Sequence, residues 1–139
     1  MVEEVKVIKK EKAIYYATGK RKCSIARVWL ISGDGQIVVN DKKLDDLHCH
    51  FTYKTKLLKP LILTNTKDKY DLKVTVNGGG VSGQTDAIMY GVAKALNTIS
   101  EEYHRILKQE GLLSRDARIV ERKKYFRKKA RKRTQYRKR

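Results

Sequence analysis

The sequence predicts an α/β (α+β) two-layer sandwich, in which helices cover one face of a mixed four-stranded sheet, followed by an extended basic tail. Short segments of alternating apolar residues come first, and a longer segment with helical spacing follows the last of them. The final eighteen residues, Arg122 to Arg139, contain twelve Lys or Arg and no acid. Strands followed by helices are typical of an α+β domain, and such a charge run is typical of a tail outside the core.

Three predicted strands come first in the chain, at Ala13 to Thr18, Ser24 to Ile31 and Gln36 to Asn40. They are rich in β-branched and aromatic residues, and in the second strand Ala26, Val28 and Leu30 lie on one face. The Asp-Gly pair within Ser32 to Gly35 tolerates positive φ, so this segment predicts a hairpin between the second and third strands.

The middle of the chain is less regular. The apolar residues of Leu44 to Leu63 predict one or two short helices, with Pro60 near an end of the second. Tyr70 to Asn77 then alternates again, with apolar residues on one face and Lys73 and Thr75 on the other. This alternation predicts a fourth strand.

A glycine-rich segment follows the fourth strand and leads into the longest predicted helix. Apolar residues recur at helical spacing after Gly83, and the small residues Ala87, Gly91 and Ala95 would let a helix approach a sheet closely. The helix is predicted to begin near Ser82, a candidate N-cap residue.

A further helix is predicted behind Ser100, with Glu101 and Glu102 in its first turn and its end at Gly111. Acidic residues suit the positive end of a helix dipole, and glycine is common just past a helix end. The predicted organisation is therefore a flexible N-terminal extension, a globular α/β domain and an extended basic tail, at residues 1–12, 13–111 and 112–139.

The net charge of +18 is concentrated in the tail. Met1 to Glu121 holds 21 basic and 15 acidic residues, as expected of a mildly basic domain. No apolar run approaches the ~20 residues that a bilayer span needs, and the N-terminus lacks the apolar region of a secretory signal. Cys23 and Cys49 show no metal or disulfide pattern and are expected to stay reduced.

The composition of the tail predicts nucleic acid as its partner. Twelve uncompensated cations repel one another, so the segment is expected to be disordered until a polyanion neutralises it. Tyr125, Phe126 and Tyr136 are set among the cations. Aromatic rings stack on unpaired bases while Lys and Arg bind phosphates, so the pattern favours a partner with single-stranded regions.

Two further segments predict phosphate contacts. The glycines of the turn before the long helix permit close backbone approach, and free N–H groups at a helix start attract phosphate. Gly19-Lys20-Arg21-Lys22 places three adjacent cations behind a glycine, in what is predicted to be a loop between two strands. A tight strand-to-helix turn and a solvated loop are the purely structural alternatives, and they remain open at this point.

Two nucleotide-binding motifs compete with this interpretation. Gly78, Gly80 and Gly83 satisfy G-x-G-x-x-G, with Glu101 or Glu102 near the distance of a ribose-binding acid, but a dinucleotide fold needs parallel strands after this point. The same segment nearly matches a P-loop, except that Gln84 stands where the phosphate-binding Lys is required. The first motif therefore lacks the strands that a dinucleotide fold requires, the second lacks its lysine, and no catalytic arrangement is predicted.

A zinc site is the third alternative. His48-Cys49-His50 offers soft ligands, but zinc takes about four, and the remaining candidates, Cys23 and His104, show no pair spacing. Ordinary side chains on a short helix are the favoured interpretation, with no metal and no cofactor.

Three segments then carry a specific resemblance. They are ATGKRKCSIARV at Ala17 to Val28, NGGGVSGQTDAI at Asn77 to Ile88 and LLSRDARIVERKKY at Leu112 to Tyr125, followed by a basic tail ending in Lys138-Arg139. Together they resemble the family of the ninth protein of the small ribosomal subunit, in its bacterial form. The resemblance covers nearly everything after Lys12.

The resemblance implies a non-enzymatic RNA-binding protein in the head of the small ribosomal subunit. Its globular part would bind the 3' major domain of the ribosomal RNA beside neighbouring head proteins, and its tail would run toward the peptidyl-site tRNA. The implied fold is shared with the second domain of ribosomal protein five and includes a left-handed crossover, where right-handed crossovers are the rule. The implied location is the cytoplasmic ribosome of a bacterium, with an organellar ribosome left open.

The residues expected to bind RNA are cations, aromatic residues, glycines and polar residues of the two turns and the tail. They are Gly19, Lys20, Arg21, Lys22, Gly79, Gly80, Ser82, Gly83, Gln84, Arg115, Arg118, Arg122, Lys123, Lys124, Tyr125, Arg127, Lys128, Lys129, Arg131, Lys132, Arg133, Gln135 and Tyr136. The residues expected to contact tRNA are those of the tip, Arg137, Lys138 and Arg139. The alternatives that remain open are a free-standing DNA- or RNA-binding protein and a nucleotide-binding enzyme.

Overall fold

A computed structural model of the chain describes residues 13–44, 46 and 50–137, so the predicted extension at residues 1–12 lies outside the described residues. It has the predicted α+β architecture, with one mixed sheet and helices on one face of it. The elements are β1 (Ile14–Arg21), β2 (Ser24–Ser32), β3 (Ile37–Val39), β4 (Lys42–Lys43), α1 (Phe51–Leu63), β5 (Tyr70–Asn77), α2 (Val81–Asn97) and α3 (Glu101–Gln109).

The sheet has the strand order β1-β2-β5-β3-β4. Each neighbouring pair is antiparallel except β3 and β5, which are parallel. The connection between these two parallel strands passes through β4 and α1. Its left-handedness, which the family resemblance implied, stays a prediction.

Alternation in the central strands separates a buried face from an open face, as predicted. In β2, Ala26, Val28 and Leu30 are fully buried, and their partners across the ladder in β5 are the buried apolar residues of that strand. The intervening Arg27 and Lys73 are exposed. Because successive side chains of a strand point to opposite faces, the helices cover only one side of the sheet.

The sheet contains a fifth strand that the sequence did not predict. Asn40 and Asp41 both have positive φ, 47° and 64°, which lets the chain reverse in two residues and pairs Val39 with Lys42. Asn40 also donates through its side-chain amide to the carbonyl of Val76 and accepts from the backbone N–H of Val76, at 3.0 and 2.9 Å. These bonds fix the hairpin of β3 and β4 against β5.

Helix α1 is one helix, and Pro60 lies inside it. A proline in this position removes one backbone donor, but Pro60, Leu57 and Leu61 are buried together in the core, which compensates for the lost bond. His50 caps the helix, since its ring accepts from the backbone N–H of Thr52 at 3.3 Å. Among the described helices, none combines the length and the apolar character that a bilayer span requires.

Helix α2 lies directly against strand β1, and two glycines make this possible. A side chain on Gly19 would overlap the carbonyl oxygen of Ala87, and its Cβ would lie 2.6 Å from the nitrogen of Gly91. A Cβ on Gly91 would lie 2.7 Å from Cγ2 of Val28. The predicted close approach of the small residues on this helix is therefore confirmed, and Gly19 is the strand residue that they meet.

Helix α3 has the predicted boundaries. The side chain of Ser100 accepts from the backbone N–H of Glu102 at 3.2 Å, and Gly111 follows the helix with a φ of 69°. Leu107 and Leu112 are buried in the core. Between Leu112 and Arg137 the structure has no helix, and its only β-bridge there joins Arg127 to Arg133.

Candidate nucleic-acid interface

The tip of the β1–β2 hairpin is tighter than the predicted loop. Strand β1 runs on to Arg21, which pairs with Ser24, so only Lys22 and Cys23 form the turn. Lys22 has a φ of 50°, and its side chain is exposed, as is that of Lys20. Two of the three predicted cations therefore face solvent at one end of the sheet.

Gly19 belongs to the strand and is buried under helix α2, where its backbone has no access to a ligand. The prediction that Gly19 lies in a loop is therefore wrong, and because it is buried it is left out of the proposed interface. Its glycine identity is explained by the packing of α2.

The glycine turn that follows β5 lies against this hairpin tip. Gly78 and Gly79 have φ values of 75° and 64°, so both need the conformational freedom of glycine. A Cβ on Gly78 would lie 2.5 Å from the carbonyl oxygen of Cys23, and one on Gly79 would overlap Oγ of Ser24. The Ser24 hydroxyl donates to the carbonyl of Gly78 at 3.0 Å. The fold thus joins two segments that the sequence singles out separately.

Helix α2 begins at Val81, and its N-cap is Gly80 rather than the predicted Ser82, which lies within the first turn. A glycine N-cap has no side chain to satisfy the first N–H groups of the helix, and the first turn contains no acid. Helix α3 differs in both respects, because it has a serine cap and two glutamates in its first turn. The positive end of α2 is the one that an external anion can use.

Space is available at this helix end. A Cβ built on Gly80 has no atom within 4 Å, and Gly80 and Ser82 are exposed. Gly83, by contrast, is buried, and its Cβ would lie 2.9 Å from Oγ of Ser24. Gln84 is half-buried and donates through its side chain to the carbonyl of Gly78 at 3.2 Å. Gly83 and Gln84 therefore support the turn, whereas Gly80 and Ser82 form its surface.

Arg21 connects the domain to the start of the tail. Its guanidinium lies 2.9 Å from Oδ2 of Asp116 and 3.8 Å from Oδ2 of Asp86 on helix α2. It also donates to the backbone carbonyls of Asp116 and Arg118, at 3.4 and 3.1 Å. We call this set of contacts the Arg21 clamp. The two acids were missed by sequence analysis, because nothing local in the sequence indicates a contact across 95 residues.

Asp116 is held by a second arginine. The side chain of Arg118 donates to its carboxylate at 2.8 to 3.1 Å, and this hydrogen bonding holds the pKa of Asp116 well below its usual range. Because folding lowers this pKa, the pairing is complete above the ordinary pKa of an aspartate and is lost only as the pH falls through the lower folded value. At neutral pH the clamp is therefore fully charged.

The tail beyond the clamp presents its side chains to solvent. The exposed members of the predicted set are Arg115, Arg118, Arg122, Lys123, Lys124, Tyr125, Lys128, Lys129, Arg131, Lys132, Arg133, Gln135, Tyr136 and Arg137. Arg127 is half-buried and donates to the carbonyl of Arg131 at 2.9 Å. Lys138 and Arg139 lie outside the described residues.

One local fold interrupts the tail. Arg131 binds the carboxylate of Glu121 through Nε at 2.9 Å, and hydrogen bonding from Arg131 lowers the pKa of Glu121. The rings of Tyr125 and Phe126 lie 4.3 Å apart between centroids. Most cations of this segment remain without an acidic partner among the described residues. The predicted disorder of the free tail stays a prediction.

The histidines and glycines that suggested metal or nucleotide sites have structural roles in the described part of the chain. His50 caps α1, and Nδ1 of His104 lies 2.6 Å from Oδ1 of Asn97, while His48 and Cys49 lie outside the described residues. No cluster of three potential metal ligands occurs within residues 13–44, 46 and 50–137. The glycine motif follows β5, but in the described residues no strand element comes after it to build a dinucleotide fold.

Comparison with known proteins agrees with the resemblance that the three sequence segments carried. Residues 19–139 match the family described as Ribosomal protein S9/S16. The small ribosomal subunit protein uS9 of Rickettsia felis is 54% identical over 125 residues, which cover 90% of this chain and 78% of the relative. The protein of the same name from Rickettsia prowazekii is 55% identical over 125 residues, with the same coverage of each chain. The match spans the hairpin tip, the glycine turn and the tail, and the chain therefore belongs to the ribosomal protein S9/S16 family.

Proposed function

We propose that this protein is a structural, non-enzymatic component of the small ribosomal subunit of a bacterium. It binds the 3' major domain of the small-subunit RNA in the head, beside neighbouring head proteins, and its tail reaches the peptidyl-site tRNA. Membership of the family and relatives named as small ribosomal subunit proteins support the subunit. The supporting observation in the molecule is the convergence of three phosphate-binding elements at one end of the sheet.

These three elements are the hairpin tip, the start of α2 and the first part of the tail. The tip supplies Lys20 and Lys22, and the helix supplies the N–H groups after Gly80. The first part of the tail, residues 115–118, which we call the tail root, supplies Arg115. The Arg21 clamp holds the tail root beside the other two. Backbone N–H groups and cations that face the same way bind phosphates and set the orientation of a nucleic acid without reading its sequence.

Sedimentation of ribosomal subunits tests this function directly. We expect the full-length protein to co-sediment with small subunits at a ratio of about one copy per subunit, as a structural component must. Substoichiometric binding that moderate salt releases would instead support a free-standing nucleic-acid-binding protein. Saturable binding of ATP or NAD by the purified chain would support a nucleotide-binding enzyme.

The start of helix α2 yields a first prediction. Changing Gly80 to Asp places a carboxylate where we propose that phosphate binds, yet Asp is a good N-cap residue and the space is open. We expect the stability of the domain to stay the same or rise by up to about 1 kcal/mol, while its affinity for small-subunit RNA falls at least about fivefold. Urea unfolding and RNA filter binding measure the two effects.

Two control variants separate phosphate binding from a purely structural role. Gly80→Ser caps the helix equally well without the negative charge, so its RNA affinity is expected to exceed that of Gly80→Asp. Gly83→Val is expected to lose stability, because the added side chain meets Ser24. If Gly80→Asp bound RNA as well as the unchanged protein, the turn would have only a structural role.

The tip of the tail yields a second prediction. The resemblance places it beside the anticodon stem of the peptidyl-site tRNA, and any tRNA must be accepted there, so Arg137, Lys138 and Arg139 are expected to bind backbone without reading bases. Deleting these three residues is expected to spare subunit assembly and to weaken tRNA binding severalfold, by a similar factor for every tRNA. Filter binding of several tRNAs to subunits that carry the shortened chain measures this.

The matched control for this deletion removes the same charge elsewhere. Gln at Lys67, Lys69 and Arg105 neutralises three exposed cations of the domain, away from the hairpin tip. This triple variant should leave tRNA affinity unchanged. Equal tRNA affinity for the deletion and the unchanged protein, or a failure of the shortened chain to assemble, would refute the proposed role of the tip.

A further inference from the structure

The open face of the sheet carries an aromatic pair that none of the described helices covers. In the strand register, Tyr16 of β1 lies opposite Trp29 of β2, and Trp29 lies opposite Lys73 of β5. The side chain of Tyr16 is 51% exposed and Trp29 is half-buried. Their ring centroids lie 5.4 Å apart, with an angle of 45° between the ring planes. Both rings belong to the side of the sheet that faces away from α2, because the residues that alternate with them are buried.

Cations surround this pair. Arg27 lies two residues before Trp29 on β2, Lys73 faces Trp29 from β5, and Lys20 lies four residues beyond Tyr16 on β1, about 13 Å away at the rise of a strand. All three side chains are exposed, and none forms an ion pair within the described residues. The face therefore combines aromatic surface with uncompensated positive charge.

The one acid of the central strands on this face is already engaged. Asp71 lies at the far end of the face, opposite Ile31, and its carboxylate accepts from the backbone N–H groups of Asp34 and Gln36, at 3.0 and 2.9 Å. It thus holds the β2–β3 turn and does not neutralise the cations. Among the described strand residues, the centre of the open face carries no carboxylate at all.

We propose that this open face is a second RNA-binding surface, on which an unpaired base stacks against Tyr16 and Trp29 while Arg27, Lys73 and Lys20 bind the flanking phosphates. The inference rests on the proposed function and extends it from backbone binding at the helix end to base stacking on the sheet. Stacking on an aromatic ring accepts any base, and nearby cations supply the affinity for the strand.

Continuity with the proposed interface favours RNA over a protein partner. Lys20 belongs to the hairpin tip and lies on the strand β1 that also carries Tyr16, so one RNA segment can leave the glycine turn and cross the open face along β1. A protein interface is typically depleted of lysine at its core. The open face instead has lysine and arginine beside its aromatic residues, which is the composition of a single-strand binding surface.

Trp29 gives this proposal a specific measurement, because it is the only tryptophan of the chain. Titrating the full-length protein with an unpaired RNA of about ten nucleotides should quench Trp29 emission as a base stacks on the ring. In Tyr16→Leu, which keeps apolar bulk but removes the neighbouring ring, the dissociation constant from the Trp29 signal should rise ~5- to 150-fold. In Arg27→Gln, the slope of log affinity against log salt should become shallower by about 0.7.

Matched controls lie elsewhere in the chain. Arg105→Gln removes one exposed cation from α3 and should leave the salt slope of the Trp29 signal unchanged. Phe51→Leu removes an exposed aromatic ring from the start of α1 and should leave the dissociation constant from the Trp29 signal unchanged. Because Tyr16 and Arg27 are exposed, neither test variant should lose the fold, and the native Trp29 spectrum verifies this before titration.

The outcomes distinguish this proposal from the proposed function. If the RNA bound, as filter binding shows, while Trp29 emission and the affinity of Tyr16→Leu stayed unchanged, the stacking surface would be wrong and the ribosomal role intact. A Trp29 change that needed other head proteins and not RNA would assign the face to a protein partner and overturn the proposal. Quenching by RNA in a chain that failed to co-sediment with small subunits would uphold the surface and reject the ribosomal role.

Discussion

Deleting Arg122 to Arg139 is expected to lower the affinity for small-subunit RNA on the order of a thousandfold at low salt, far more than the loss of any single cation. The deleted segment contains twelve cations and no acid. Each cation that neutralises a phosphate releases a counterion and contributes about 0.7 to 0.9 to the slope of log affinity against log salt. Affinity measured across a salt series should therefore show a slope that is shallower by up to about 8 to 11.

The shortened chain should retain its fold, because the deleted residues lie outside the buried core. A charge-preserving control replaces Tyr125, Phe126 and Tyr136 by Leu. This control should keep the steep salt slope while losing some affinity, if stacking adds to the phosphate contacts. An unchanged slope after deletion of the tail would mean that the tail does not bind the RNA backbone.

Changing Gly19 to Ala is expected to cost about 3 kcal/mol or more of the free energy of unfolding, a large part of the roughly 5 to 15 kcal/mol of a small domain. The added methyl group would overlap the backbone of α2 at Ala87 and Gly91, and backbone cannot rotate away as a side chain can. Helix α2 would have to move off the sheet and open its contact with Val28. Urea unfolding followed by Trp29 emission measures the loss.

The same chemical change at Gly80 is the control. Gly80→Ala meets no atom within 4 Å and should cost at most about 1 kcal/mol, through its weaker capping of α2. If the two variants unfolded at the same urea concentration, the tight contact between β1 and α2 would not limit stability. The prediction is therefore that the same substitution lowers the free energy of unfolding much more at Gly19 than at Gly80.

The elements that could be predicted each have a periodic or compositional pattern within their own residues. The alternation of β2 and β5 and the helical spacing of α2 are confirmed, because burial on one face imposes a period of two or 3.6 on the local sequence. The predicted start of α3 behind Ser100 is confirmed as well. The basic tail was equally visible as composition. Family membership was predictable from three specific segments, and the family match over residues 19–139 confirms it.

The features that were missed depend on residues far apart in the chain. Gly19 was assigned to a loop, and only its contact with α2 explains it. Ser82 has the chemistry of an N-cap, but the chain enters the helix at Val81, so Gly80 takes that position. Strand β4 is two residues long and has no periodicity to detect, although the adjacent Asn40-Asp41 pair is a recognisable turn signal. The alternation of each strand indicated which of its residues are exposed. The order of the strands, which brings Tyr16, Trp29 and Lys73 together, is known only from the structure.

The Arg21 clamp has a consequence for the order in which the molecule engages its RNA. The tail leaves the domain from a fixed point, since Arg21 holds the backbone at Asp116 and Arg118. If the domain docks first, as we propose, the tail would search for its own contacts within a small volume, at an effective concentration near millimolar. The domain and the tail would then bind the RNA as two linked sites. The binding of the tail would be nearly independent of the cellular concentration of the protein.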